Sequence, residues 1–310
     1  MYNKKKASTT IFIILCIGLV SCNFSSTSSI NQDLLAIINS LQKEYIVLND
    51  NETFHDLFIR GQAKYKVVRD FELINGVADE IPVLMYHHLL LSSENNFKGN
   101  SAILDVETFF EQMEILFKSG YTTVTLLEFE KWLSGEIELP KKSVSITFDD
   151  GYLSNYIYAY PILKNFNFKA SQFLITNTAK EESEPFDPNV LQYLTWEDIV
   201  STLDVFEYSN HTHDLHHLEN NKGFMISKPI DYVYEDTLEN MSLTNCKYFA
   251  YPYGHYNDEV LDILESVGIK MAFTVKSGPV KKGDSPLELN RYGIFPSTSI
   301  SKFNYMINNQ

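Results

Sequence analysis

Two adjacent carboxylates and a cluster of imidazoles are the residues of this chain best suited to chemistry. The apolar run Ser143-Val-Ser-Ile-Thr-Phe148 ends abruptly in Asp149-Asp150-Gly151, and further along lies His211-Thr-His-Asp-Leu-His216-His217. A carboxylate oxygen with imidazole nitrogens is the ligand set of a hydrolytic divalent metal site, and a second carboxylate beside it is a natural general base. Neighbouring side chains at a strand end diverge, so one aspartate can bind a metal while the other faces a substrate. His211 and His216 are five residues apart, about 140° around a helix, so they can converge only from a loop or a strand end. His213 and His217, at i and i+4, can instead converge on a helix. The bland reading of the carboxylates is a solvated Asp-Asp-Gly turn. The nearby histidines argue against it.

The surrounding pattern predicts the elements that must position these groups. Ile81–Tyr86, Val144–Phe148, Ala170–Ile175, Asp204–Tyr208, Lys247–Tyr251 and Met271–Val275 read as strands, and Arg291–Phe295 as a last candidate. Helical patterns over Val106–Phe117, Leu126–Leu133, Tyr156–Phe166, Trp196–Leu203, Pro229–Met241 and Asn257–Val267 alternate with them. Pro161 either kinks its helix or opens the main run, and Thr195 is placed as an N-cap. Alternating strand and helix implies parallel strands joined by crossovers, and about seven or eight strands suit a distorted (β/α) barrel. Asp149-Asp150, the histidine cluster and Tyr251-Pro252-Tyr253 would each sit at a C-terminal strand end, where such barrels keep their chemistry. A doubly wound open sheet is the rival fold, but no Gly-rich phosphate turn supports it. Residues 179–190 read as an acidic loop at the rim.

The chain has 310 residues, 44% hydrophobic and 14% aromatic, enough to build a substantial core. Its formal charge of −15 favours solubility and argues against a nucleic-acid partner. Lys4, Lys5 and Lys6 precede an apolar run, Ile11–Val20, that is too short to span a bilayer. Leu19-Val20-Ser21-Cys22 then resembles the bacterial lipoprotein cleavage box, which predicts a signal peptide over 1–21 and lipidation of Cys22. An ordinary secretory signal or an uncleaved anchor are the alternatives. Residues 22–78 are expected to be a tether and N-terminal helical segment, and 79–310 the catalytic domain. Lipidation would place the protein outside the cytoplasm, tethered to a membrane through acyl chains. With Cys16 in the signal and Cys22 as anchor, only Cys246 remains, so the mature chain is expected to have no intramolecular disulfide.

Thr147-Phe-Asp-Asp-Gly151 and Phe249-Ala-Tyr-Pro-Tyr-Gly254 resemble the first and third motifs of the polysaccharide deacetylase (NodB-homology) family. Leu84-Met-Tyr-His-His88 and His211-Thr-His-Asp-Leu-His216 resemble those of its circularly permuted, poly-N-acetylglucosamine deacetylase type. The resemblance covers roughly residues 80–295. It implies that Asp150, His211 and His216 bind the metal and that Asp149 is the general base. It also implies a backbone N–H of Tyr253 for the oxyanion and His87, with His88 as its bland neighbour, as proton donor to the leaving amine. His213 and His217 remain the geometric alternative. The ion is expected to be zinc, with cobalt, nickel or iron also suited to such ligands.

Two departures stand out. No Leu-x-His motif follows residue 275, and Ala250 occupies the place of the arginine that opens the family's third motif. Arg291 is the candidate replacement for that guanidinium. Tyr253 also has a structural reading, as part of a Pro-Tyr-Gly turn. Rim aromatics such as Tyr152, Tyr208, Tyr251 and Tyr256 are candidates to stack on sugar rings, although most aromatics of such a chain are core. The implied activity is removal of N-acetyl groups from an N-acetylglucosamine polymer, either exopolysaccharide or cell-wall glycan. Polysaccharide O-acetyl esterase and inactive glycan-binding lipoprotein are the alternatives.

Overall fold

A computed structural model describes residues 27–40, 46, 48–49 and 52–308. The expected signal peptide and Cys22 lie outside the described residues. No helix among the described residues is long and apolar enough to cross a membrane.

Seven parallel strands form one curled sheet: β1 (Val83–Tyr86), β2 (Ser143–Phe148), β3 (Ala170–Leu174), β4 (Phe206–Asn210), β5 (Tyr248–Ala250), β6 (Met271–Phe273) and β7 (Tyr292–Gly293). Their spatial order is β6-β5-β4-β3-β2-β1-β7, and Thr122–Thr123 pairs beside the start of β2. The order runs consecutively around the sheet, with no central reversal, so the doubly wound alternative fails. The two edges are drawn together by the segment before β7, where Leu289 makes an isolated parallel bridge to Phe273 of β6. This is the expected distorted (β/α) barrel.

Period-two alternation decides which side chains enter the barrel. In β2, Val144, Ile146 and Phe148 join the outer core with helix Val106–Lys118. Ser145 and Thr147 therefore point inward, and Asp149 continues that face. Phe206 and Tyr208 of β4 likewise lie in the outer core, which leaves His211 on the inner register. Phe173, Tyr248, Ala250, Met271 and Phe273 fill the interior with Val83 and Leu289. Phe249 and Ala272 face outward onto Val260, Ile263 and Leu264 of helix Asp258–Ser266.

Local signals place the helices. Thr125 and Glu128 form a reciprocal cap on Leu126–Leu133, Thr195 and Asp198 do the same for Trp196–Ser201, and Asn257 caps Asp258–Ser266. The stretch around Pro161 begins as a wide helical turn over Asn155–Ala159 and tightens into Tyr160–Asn165, with Pro161 in the first turn, where no N–H is needed. Helices Thr27–Asn39 and Phe54–Gly61 pack on this body. Leu34, Phe54 and Phe58 join the outer core, with the Phe58 ring 5.4 Å from Trp196 and 6.0 Å from Tyr208.

Candidate active site

β2 stops at Phe148, and the backbone turns at once. Asp150 and Gly151 both take left-handed conformations, with φ of 72° and 75°. A β-carbon at Gly151 would sit 2.8 Å from Leu174 Cδ2, so any other residue would have to displace that side chain as well as adopt the left-handed backbone. The turn sends the two carboxylates into different environments. Asp149 stays in the barrel mouth, where Arg291 donates from both terminal nitrogens, to Oδ1 at 2.7 Å and Oδ2 at 2.8 Å. Arg291 is fully buried and its Nε donates to the Thr274 carbonyl at 3.0 Å. Burial alone would raise the Asp149 carboxyl, but the guanidinium and nearby imidazoles outweigh it and hold it below the usual aspartate value.

Asp150 meets the histidines instead. Its Oδ1 lies 3.4 Å from His211 Nε2 and 3.2 Å from His216 Nε2, buried and without a hydrogen-bond partner. His211 donates Nδ1–H to the Ala250 carbonyl at 2.7 Å, which leaves Nε2 of the neutral ring as a lone pair. A lone pair facing a carboxylate oxygen is repulsive unless a cation lies between them. Metal–ligand bonds of about 2.0–2.2 Å in a tetrahedron put neighbouring donor atoms about 3.4 Å apart, so these separations suit a bound ion. The three donors are the one group among the described residues with such convergence, all within 4.8 Å of one another. Burial, then the charge of His211, pushes His216 down to about 4, which keeps it a neutral donor. Burial opposes a proton on His211, but Asp150 and Asp149 favour one, and a divalent cation would take that proton's place.

Segment 211–217 forms no helix, so His213 and His217 do not converge. His213 Nδ1 pairs with Thr176 Oγ1 at 3.0 Å, and exposed His217 lies 3.4 Å from Asp214. His87 follows outward-facing Tyr86 and is half-buried, and its charge would favour the ionised forms of both Asp149 and Asp150. His88 is buried against Ser154 Oγ at 2.6 Å, and burial pushes its pKa down to about 4. Tyr253 occupies a left-handed turn, φ 58° and ψ 6°, with its ring 4.4 Å from that of His216.

A family model described as polysaccharide deacetylase matches residues 136–272. YxkH of Bacillus subtilis (strain 168), whose name places it among polysaccharide deacetylases, is 30% identical over 225 residues, 72% of this chain and 75% of that protein. The chain belongs to the polysaccharide deacetylase family.

This deacetylase is also 31% identical, over 198 residues, to the poly-beta-1,6-N-acetyl-D-glucosamine N-deacetylase of Staphylococcus epidermidis, 62% of the chain and 67% of that protein. Among solved structures it is similar to IcaB from Ammonifex degensii, with a TM-score of 0.64 and 27% identity over 74% of the chain and 98% of that one. A Streptococcus pyogenes deacetylase, PplD in complex with acetate, gives a TM-score of 0.61 and 26% identity over 74% of the chain and 98% of that one.

Not every residue singled out by sequence lies at the mouth of the deacetylase barrel. Tyr208 and Tyr251 are buried, their hydroxyls spent on Thr202 and on the Leu287 carbonyl, so neither can stack on a sugar. Tyr256 instead bonds Glu288 at 2.7 Å and stacks on Tyr251. Tyr193, not foreseen from sequence, stacks on Tyr152 at 5.3 Å, and Tyr152 in turn stacks on His88 at 4.8 Å. Tyr193 lies beyond the acidic loop read at 179–190, and its neighbour Leu194 donates its N–H to the Gly151 carbonyl.

Proposed function

We propose that this deacetylase hydrolyses N-acetyl groups of a poly-N-acetylglucosamine chain, with a divalent ion held by Asp150, His211 and His216. One observation carries the reading: an unpartnered buried carboxylate oxygen faces two imidazole nitrogens whose other nitrogens are already engaged. The ion, when bound, supplies Lewis acidity toward the acetamide carbonyl and acidifies water. Zinc is our choice, with cobalt, nickel or iron as alternatives.

The remaining steps fall to the chain's own residues. Asp149, kept ionised by Arg291, accepts the proton of the attacking water; each of its oxygens keeps a second lone pair beyond the guanidinium contact. The Arg291 fork fixes the carboxylate plane. The backbone N–H of Tyr253 is our assignment for the developing oxyanion. His87, on the inward register after β1, gives a proton to the departing amine. The substrate class follows the names of the staphylococcal relatives and the fit of an amine leaving group to an imidazolium donor.

Acetate release from β-1,6-linked N-acetylglucosamine oligomers and from an O-acetyl ester, with metal stripped and restored, tests the proposal. Metal-dependent release from the amide supports it. Release from the ester alone assigns the site to O-acetyl hydrolysis, and binding without release assigns it to glycan recognition.

A further inference from the structure

The end of β5 and the turn that follows it serve both histidines. Ala250, the last residue of β5, accepts the Nδ1–H of His211 through its carbonyl. Three residues on, the Tyr253 hydroxyl lies 3.2 Å from His216 Nδ1 and 3.2 Å from the His216 carbonyl oxygen. A phenol has one hydrogen to give. The carbonyl can only accept, so the hydroxyl donates to it and accepts from Nδ1–H. That assignment leaves His216 Nε2 as a lone pair aimed at Asp150 Oδ1, matching His211. The opposite tautomer would strand the carbonyl without this donor.

The conformation that makes this reach is a demanding one. Tyr253 is a bulky residue in the left-handed region, and Gly254 follows it at φ 70°. A β-carbon on Gly254 would lie 2.3 Å from Val275 Cγ2, so the turn is pressed against the end of β6. Packing does not hold the ring there by burial, since Tyr253 remains 39% exposed. Its polar tie is to His216, and His216 itself sits in an irregular segment with no regular element to fix its ring.

We propose that the Tyr253 hydroxyl is a positioning group: it sets the tautomer and orientation of His216 and thereby raises metal affinity. This role is separate from any use of the Tyr253 backbone N–H. It rests on the reading that Asp150, His211 and His216 bind a divalent ion.

Tyr253→Phe removes the hydroxyl and keeps the ring, the turn and the backbone N–H. Zinc would be titrated into the metal-free full chain against a competing chelator, and the visible spectrum of the cobalt-loaded protein recorded. The expected result is a dissociation constant weaker by about 10–100-fold, the usual effect of losing a partner behind a metal ligand. The cobalt spectrum should also shift. A Phe variant with wild-type affinity and an unchanged cobalt spectrum overturns the proposal. So does weaker binding matched by a fall in the melting temperature of the metal-free protein, which would assign the hydroxyl to folding. If the wild-type chain takes up no divalent ion, the metal reading fails and takes this proposal with it. Equal uptake by both proteins sinks this proposal alone.

Discussion

Arg291 and Asp149, 142 residues apart in the chain, meet in a two-pronged ion pair within the barrel mouth, both side chains almost wholly buried. The guanidinium reaches the carboxylate from the segment that closes the barrel between β6 and β7, with Nε anchored on Thr274. In this chain Ala250 stands where the family's third motif opens with arginine, and Arg291 brings a guanidinium to Asp149 from another element. Breaking a buried pair by removing one partner typically costs about 3–5 kcal/mol.

Arg291→Ala should therefore lower the melting temperature and strip Asp149 of its counter-charge. Burial then dominates and raises the carboxyl, so the acid limb of the kcat profile should move to higher pH. Arg291→Lys keeps the charge but not the fork, and should recover stability better than turnover. Thermal melts and pH–rate profiles of the two variants check this; an acid limb that stays put in Arg291→Ala contradicts the pairing as a determinant of activity.

Asp149→Asn should reduce kcat by about 10²–10⁴-fold, the range for a lost general base, while metal content stays at the wild-type level. His211→Ala and His216→Ala should lose metal and activity together. His217→Ala should keep both, because its ring faces Asp214. Metal analysis after dialysis separates these cases; loss of metal from His217→Ala but not from His216→Ala would reverse the ligand assignment.

Glu207 offers a pH test away from the active site. It points inward from β4, and its carboxyl accepts hydrogen bonds from the Leu126 N–H and from Ser171 Oγ at 2.7 Å. Burial pushes it up to about 7 from the usual glutamate value of 4.5. The folded state thus holds this proton more tightly than the unfolded chain does. Its contribution to stability is complete below the unfolded pKa and is lost as pH rises toward about 7. Glu207→Gln should flatten the fall in melting temperature across that window, and an unchanged slope would refute the assignment.

Gly254→Ala should destabilise the protein by about 1–3 kcal/mol, since it adds a left-handed penalty and a clash with Val275. The double variant with Val275→Ala should recover only part of the loss, because removing the clash leaves the backbone cost. Chemical denaturation of the three proteins measures both terms; full recovery would mean the backbone cost is negligible.

Much of the site is legible in the linear chain, because its chemistry is carried by residue types that have few other uses. A strand ending in Asp149-Asp150-Gly151 and a histidine cluster after another strand mark a candidate metal site. The β2 pattern of Ser, Val, Ser, Ile, Thr and Phe already encodes which face of that strand is polar. Capping pairs such as Thr125 with Glu128 and Thr195 with Asp198 fix helix starts by local hydrogen bonds. Aromatics are less readable: Tyr208 and Tyr251 look the same as Tyr193 in the chain, yet two are core and one lines the rim.

What the sequence by itself determined is the set of reactive groups, the alternation of strands and helices, and so the barrel on which those groups stand. Only the tertiary structure decided the company they keep: Arg291 on Asp149, Ala250 behind His211, Tyr253 behind His216, and His213 and His217 turned elsewhere. The physical reason is that local periodicity and capping act over a few residues. These partnerships depend instead on how strands far apart in the chain are brought side by side, and on which way a left-handed turn throws a side chain.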